Sequence, residues 1–488
     1  MFRYLVLAAA LSIVVPAAAE TRLELADCRI SGGPGFPSVK ARCGKLERPL
    51  NPEAPDAGQI EISIAVVPAL DLTPEPDPLV PLAGGPGQAA IQTYAGYLGA
   101  FGRVRRDRDI LLVDQRGTGE SARMDCDYGE ESGEDLIEGP YSREKTLELT
   151  EACLAELPHD PRFFTTSVAV TDLEAVRVAL GYPALNLYGV SYGSRVAQHY
   201  ARRYPETTRT IVLDGVVPPQ LPLGPEIATE AQRAVESILS RCAEQPSCNA
   251  RFPTIAADFE SLKRSLEAEA VNVELADPLT GEIDVLPFGR GEFAGAIRLL
   301  AYHPNTIALM PLLISEAVEG NYTPLAAQFK MTAVTLADSL ALGMHNSIMC
   351  TEDVPYYEQA QIDYAALEAS YIGPIQLEAL EAICSRWPAG PIDDGFREPL
   401  ATDIPVLLLS GSADPITPPR YAELAKAKLD RARPLIGNGQ GHGQLMVGCT
   451  PRLIGEFVTS ADPDAIDPEC MGRSFVMPFF LGFAGPEP

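Results

Sequence analysis

Apolar positions along this chain recur with two different periods, and the two alternate. Ile60, Ile62, Ile64 and Val66 are separated by Glu61, Ser63 and Ala65, the period-two pattern of a half-buried strand. Leu79-Val80-Pro81-Leu82 and Ile110-Leu111-Leu112-Val113 are short apolar runs that end in glycine-rich turns, as buried strands do. Thr171 can cap a helix in which Leu173, Val176 and Leu180 recur at helical spacing and which stops at Gly181. Leu185 to Tyr188 then reads as a strand, a helix follows to about Tyr204 where Pro205 ends it, and Thr210 to Leu213 supplies another strand. Strand and helix in turn predict a mostly parallel sheet covered by helices on both faces.

The pattern changes at about Pro218. Prolines 218, 219, 222 and 225 precede long helical patterns, Glu226 to Cys242 and Phe293 to Glu319, and strand signals largely vanish. They return at Ile404 to Leu409 and at Pro434-Leu435-Ile436. The expected organisation is therefore an α/β core in two parts, 20–217 and 401–488, interrupted by a mainly helical cap insertion at 218–400. A proline-rich acidic loop, Asp71 to Pro78, should be exposed. No internal repeat is present.

The N-terminus has Arg3, an apolar stretch from Tyr4 to Val15, Pro16, and then Ala17-Ala18-Ala19 before Glu20. That is the layout of a signal peptide, residues 1–19, and it predicts a secreted or periplasmic protein with no stable membrane insertion after signal removal. In an oxidising compartment the ten cysteines read as disulfides rather than metal thiolates. Pairing sequence neighbours gives Cys28 with Cys43, Cys126 with Cys153, Cys242 with Cys248, Cys350 with Cys384 and Cys449 with Cys470, although connectivity does not follow from sequence alone. No Cys-x-x-Cys or Cys/His cluster occurs, so no structural metal is expected. With 66 acidic against 38 basic residues, the net charge of -28 opposes binding to nucleic acid.

The chemistry starts from Gly189-Val190-Ser191-Tyr192-Gly193, which lies between a predicted strand and a predicted helix. A serine at such a turn presents its hydroxyl at the end of the sheet, and small residues let strand and helix pack closely around it. A hydroxyl nucleophile needs a general base and an acid to orient that base. The chain has five histidines. His199 lies two turns beyond Ser191 and points away from it, and His159, His303 and His345 fall before or within the insertion. His442 remains, in the flexible Gly437-Asn438-Gly439-Gln440-Gly441-His442-Gly443 loop. Asp414 follows Leu407-Leu408-Leu409 at a strand end and is the favoured acid. Asp214, after Ile211-Val212-Leu213, is its competitor. An oxyanion needs two backbone donors, for which Tyr192 and Gly85 stand in the required places.

Together, Gly84-Gly85-Pro86-Gly87, Asp114-Gln115-Arg116-Gly117-Thr118-Gly119-Glu120-Ser121, Gly189 to Gly193, Asp414-Pro415-Ile416-Thr417-Pro418 and Gly441-His442-Gly443 resemble the proline iminopeptidase and tripeptidyl aminopeptidase family of α/β-hydrolases. The order and spacing match from about residue 45 to residue 450. The resemblance implies the α/β-hydrolase fold, a helical cap over the site, no cofactor, and hydrolysis at the N-terminal end of a peptide substrate. One departure is Ala83, where the family's oxyanion loop often begins with histidine. The backbone donor is kept, but what supports the loop is open. Asp114 and Arg116 read as structural. An exopeptidase must bind a free ammonium, which calls for a cap carboxylate. Cys350-Thr351-Glu352-Asp353 resembles a Cys-x-x-acid stretch of the family's secreted branch and makes Glu352 and Asp353 the candidates. A carboxylesterase is the alternative activity, and a non-catalytic binding protein on the same scaffold the alternative class. The oligomeric state is not set by any feature of the sequence.

Overall fold

The computed structural model describes residues 23–33, 35–126, 143–276, 281–357, 362–473 and 476–486. The expected signal peptide, 1–19, lies outside them. The strands are β1 (Ala26–Ile30), β2 (Val39–Pro49), β3 (Gln59–Val67), β4 (Leu79–Leu82), β5 (Ile110–Val113), β6 (Leu185–Val190), β7 (Thr208–Asp214), β8 (Val271–Ala276), β9 (Ile283–Phe288), β10 (Val406–Gly411) and β11 (Ala432–Gly437). Nine of them form one sheet in the order β1-β2-β3-β5-β4-β6-β7-β10-β11. The pairings among β1, β2, β3 and β5 are antiparallel, and those from β5 through β4, β6, β7 and β10 to β11 are parallel.

Alternation along each strand decides which side of the sheet a residue packs on. Ile60, Ile62 and Ile64 of β3 join Leu111 and Val113 of β5 in one core layer, while Ala65, Val67, Ile110 and Leu112 join the opposite layer. Because β4, β6, β7, β10 and β11 run parallel, the loops that leave their carboxyl ends all open on one edge. That edge carries the glycine-rich loop after Leu82, Ser191, Asp214, Asp414 and His442.

Between β7 and β10 the chain is mainly helical, as its pattern predicts, with a core of its own built on residues such as Phe259, Phe288, Phe293 and Tyr371. The small antiparallel pair β8–β9 is an addition to that expectation. The long pattern from Phe293 to Glu319 divides into Arg290–Leu300, Pro304–Ile307 and Met310–Val318, because Pro304 and Pro311 have no N–H and start new helices. The helix placed at Thr171 begins earlier, at Thr166, and its cap is Thr165, whose hydroxyl accepts from the Val168 N–H. Thr171 lies inside it and donates back to the Val168 carbonyl at 2.8 Å. The helix ends at Gly181 as expected, in the left-handed conformation with φ 75°. In the acidic loop, residues 71–76 are exposed, whereas Asp77 is buried against Arg108.

All five neighbour pairings of cysteine occur as disulfides. Cys126–Cys153 and Cys350–Cys384 pack in one cluster with Trp387. Among the described residues no helix is long and apolar enough to cross a membrane.

Candidate active site

The turn between β6 and the helix Tyr192–Arg203 puts Ser191 at φ 54° and ψ −127°, a region that side chains rarely occupy. Such backbone strain costs on the order of 1–3 kcal/mol and persists only where the surroundings impose it. Two glycines make it possible. A Cβ at Gly189 would lie 2.2 Å from the Gly193 carbonyl oxygen, and one at Gly193 would lie 2.2 Å from that of Leu82. The turn is tied down by Ser191 N–H donating to the Asp214 carbonyl at 2.9 Å and by the Ser194 hydroxyl donating to the Ser191 carbonyl at 2.6 Å.

His442 arrives from the loop after β11. Its Nδ1 stands 2.9 Å from Oδ2 of Asp414, and its backbone N–H donates to the Tyr302 carbonyl at 2.8 Å. The Tyr302 ring packs edge-on against the imidazole. Asp414 is itself fixed by N–H groups of Ile416 and Thr417 and by the Thr417 hydroxyl, at 2.9, 2.8 and 2.8 Å. Burial would raise the Asp414 carboxyl, but the His442 charge and hydrogen bond outweigh it and hold the group below the usual carboxylate range. For His442 burial disfavours the imidazolium, and Asp414 more than compensates, so the ring is more basic than an ordinary histidine. With Nδ1 committed to Asp414, Nε2 is the nitrogen that can take a proton.

Asp214 plays another part. Its carboxylate accepts from the Gln444 N–H at 2.8 Å and from the Tyr188 hydroxyl at 2.7 Å, holding the strand end and the histidine loop together. Full burial pushes it up to about 6. The structure thus brings Asp414, and not Asp214, to the imidazole. Thr417, whose hydroxyl is also 3.1 Å from His442 Nδ1, is a neighbour that sequence reasoning did not single out.

Ser191 and His442 line one cavity of about 330 Å³ together with Gly84 and Gly85. That size suits a small ligand. A Cβ at Gly84 would sit 3.2 Å from that of Ser191, which measures how closely the glycine loop crosses the serine. The cap supplies most of the remaining wall, largely apolar and including Leu223, Ile227, Leu340, Leu380 and Ile383, with polar groups at Arg298, Asn346 and Gln376.

His345 was set aside on sequence because it falls in the insertion, yet it lines this cavity and its Nδ1 lies 3.1 Å from the Pro86 carbonyl. Burial lowers its basicity, which favours the neutral ring and an Nδ1–H that donates to that carbonyl. The glycine-rich loop that begins with Ala83 is therefore held from the cap. Of the other histidines, His199 is buried against Asp393 and Ser167, away from the serine hydroxyl. Asp114 and Arg116 hold local structure. Asp114 accepts from the Ile91 and Glu120 N–H groups, and Arg116 is buried in a pair with Asp172 at 2.7 Å.

Glu352 and Asp353 do not stand where an ammonium site over the serine would need them. Neither is among the residues lining the cavity, and both are fully buried with their oxygens engaged elsewhere. Glu352 accepts from Thr166 N–H and Oγ1–H at 2.7 and 2.9 Å, and Asp353 from Arg195 Nη1 at 2.8 and 2.9 Å and from Leu223 N–H at 2.7 Å. Glu352 is thus turned to the first residue of the helix Thr166–Leu180 and Asp353 to the first turn of the elbow helix. Among the described residues no cluster of His, Cys, Asp and Glu could hold a metal ion.

The α/β-hydrolase fold model matches residues 77–241, and the TAP-like protein model matches residues 369–470. Serine protease Hip1 of Mycobacterium tuberculosis is 26% identical over 487 residues, covering 90% of this chain and 88% of that protein. Tripeptidyl aminopeptidase of Streptomyces lividans is 26% identical over 225 residues, 43% of this chain and 41% of its own. Proline iminopeptidase of Xylella fastidiosa is 31% identical over 148 residues, 29% of this chain and 33% of its own. The elbow, the acid and the histidine loop lie at the same edge of one mostly parallel sheet, in the chain order serine, acid, histidine. The chain has the α/β-hydrolase fold and is similar to the proline iminopeptidases and tripeptidyl aminopeptidases.

Proposed function

We propose that this serine hydrolase is an exported aminopeptidase that removes one to three residues from peptide N-termini through an acyl-enzyme on Ser191. As Ser191 Oγ bonds to the substrate carbonyl carbon, its proton passes to Nε2 of His442. The carbonyl π electrons move onto oxygen, where the N–H groups of Gly85 and Tyr192 receive the charge. Collapse breaks the C–N bond, and His442 returns the proton to the leaving amine. Water then repeats the sequence at the acyl-enzyme, so that hydrolysis needs no cofactor. Asp414 orients His442 and stabilises the imidazolium. The observation that carries the reading is the 2.9 Å contact of His442 with Asp414, at a cavity whose wall also includes Ser191 on its strained turn.

Relatives named serine protease, tripeptidyl aminopeptidase and proline iminopeptidase support a peptide as substrate. The apolar cap wall favours a second reading, a carboxylesterase on lipophilic acyl groups, because the same machinery cleaves both bonds. Assaying chromogenic aminoacyl and tripeptidyl amides beside short-chain nitrophenyl esters separates the two. Turnover of amides is expected, and turnover of esters alone removes the peptidase. Labelling by a fluorophosphonate that disappears in Ser191→Ala is the expected sign of the nucleophile. A folded wild-type protein that takes no label is a binding protein instead. Export is supported by the signal-peptide layout of residues 1–19 and by five disulfides. A mature chain beginning at Glu20 in the exported fraction is the expected mass-spectrometric result.

A further inference from the structure

One stretch of the cap touches both halves of the oxyanion site. At its start, Leu340 bridges to Gln88, and Ala341 N–H donates to the Gly87 carbonyl at 3.0 Å. The helix Leu342–Ile348 then presents His345 to the Pro86 carbonyl at 3.1 Å. Seven residues further on, nearly two helical turns, the turn Met349–Asp353 carries Glu352. From Glu352 a continuous chain of hydrogen bonds leads to the elbow. The Thr166 hydroxyl donates to Glu352 Oε2 at 2.9 Å and lies 2.5 Å from the Tyr192 hydroxyl, which takes a further bond from Gln115 Nε2 at 2.9 Å. Tyr192 is 1% exposed, so its ring has one seat, and that ring fixes the residue whose N–H follows Ser191. Next to it, Asp353 clamps Arg195 in the first turn of the elbow helix.

We propose that the cap segment Leu340–Asp353 positions both oxyanion donors, His345 by holding the Pro86 carbonyl and with it the N–H of Gly85, and Glu352 by holding Tyr192 through Thr166. Neither residue is a catalytic residue in this role, because each acts through another group. The segment braces the glycine-rich loop at Pro86, Gly87 and Gln88, and it gives Glu352 a purpose other than binding an ammonium. Core residues Thr166 and Gln115 touch the Tyr192 hydroxyl directly, whereas the hold on the Pro86 carbonyl and the carboxylate that anchors Thr166 both come from the cap. A clamp of this kind acts on the transition state, where the oxyanion exists, more than on the bound substrate.

The inference rests on Gly85 and Tyr192 being the oxyanion donors of the proposed peptidase. Its test compares His345→Leu, Glu352→Leu, Glu352→Gln and Thr166→Val with the wild type on a tripeptidyl amide, on its N-acetylated form, and against a peptidyl trifluoromethyl ketone, whose adduct carries the oxyanion. The Leu and Val variants should lose about 100- to 1,000-fold in kcat, the cost of one oxyanion donor. Ketone affinity should fall by a matching factor, KM should stay within about threefold, and Glu352→Gln should recover much of the loss. Thr166→Val keeps the shape of the side chain and breaks the link alone, so it reads the effect even where a Leu variant does not fold. The proposal is overturned by unchanged kcat in Thr166→Val, by a fall in kcat with full ketone affinity, or by a rise in KM confined to the free-amino substrate, which would return Glu352 to ammonium binding. A wild type that neither turns over substrate nor labels at Ser191 refutes the underlying peptidase, whereas an active wild type with indifferent variants refutes only the clamp.

Discussion

Asp414 Oδ2 lies 2.9 Å from His442 Nδ1, while Asp214, at the end of the adjacent strand, turns both oxygens to the Gln444 N–H two residues beyond that histidine. Two buried carboxylates thus serve one loop, one through the ring and one through the backbone. Asp414→Asn should cost roughly 1,000- to 10,000-fold in kcat, because the wrong tautomer of His442 is then favoured. Asp214→Asn should cost about tenfold or less and mainly loosen the loop. Steady-state kinetics on both variants decides between them, and the larger loss in Asp214→Asn would reverse the assignment.

The pH profile of kcat/KM should rise as His442 gives up its proton, since only the neutral ring accepts one from Ser191. Its midpoint should lie above the ordinary histidine value of 6.5, because Asp414 outweighs burial. In Asp414→Asn burial is opposed only by the weaker attraction of Asp214, and the midpoint of the residual activity should move down. A midpoint indifferent to that substitution would mean that some other group titrates.

Stability should fall as the solution becomes neutral. Burial pushes Glu352 from 4.5 up to about 7, and Asp114 and Asp214 from 3.8 up to about 6, so the folded chain binds protons that the unfolded chain has lost. Their stabilisation is present below pH 4 and disappears as pH climbs through 6 and 7. Asp414 has the opposite sign and is lost as pH drops below 4. Tm measured by calorimetry should therefore peak between about pH 4 and 6 and decline by roughly 2–4 °C or more toward pH 8. Glu352→Gln should flatten that decline.

The Thr417 hydroxyl donates to the oxygen of Asp414 that faces His442. Thr417→Val preserves the volume and leaves that oxygen with one donor fewer. It should lower kcat by about 10- to 100-fold, consistent with a lost bond to a charged group of roughly 1.5–3 kcal/mol, and leave KM nearly unchanged. Equal falls in kcat on amide and ester substrates would confirm that the effect lies in the shared machinery.

Cys350–Cys384 joins the segment that carries His345 and Glu352 to the helix that supplies Gln376 and Ile383 to the cavity wall. Replacing both cysteines with serine should destabilise the protein by about 2–4 kcal/mol in denaturant titration, as expected for a loop of this length. If the cap segment then loosens, kcat should fall before the core unfolds.

The elements that position the chemistry were readable where their signals are local. The alternation at Ile60–Val66, the apolar runs at 79–82 and 110–113, the elbow at Ser191 and the loop at His442 are each written within a few residues. Boundaries slipped where tertiary contacts compete with periodicity, as at Thr165, which caps a helix started seven residues before Leu173, where its clearest apolar pattern begins. His345 was missed because a lone histidine in a helical insertion resembles any core residue. Glu352 and Asp353 were misplaced because a carboxylate beside a cysteine says nothing of whether it faces a cavity or a buried arginine.

The sequence by itself determined the mostly parallel sheet, the strained turn at Ser191, the signal-peptide layout of residues 1–19 and the short list of serine, histidine and acids. Backbone sterics and hydrophobic period act over a few residues, and those features need nothing more. Only the tertiary structure decided that Asp414 and not Asp214 meets His442, that the glycine loop leans on His345, and that Glu352 reaches Tyr192 through Thr166. Those choices depend on which strands lie side by side and how the cap settles on them, and they join residues 28 to 259 positions apart. Local propensity does not encode such distances, because they arise when buried polar groups far apart in the chain must find each other or remain unpaired.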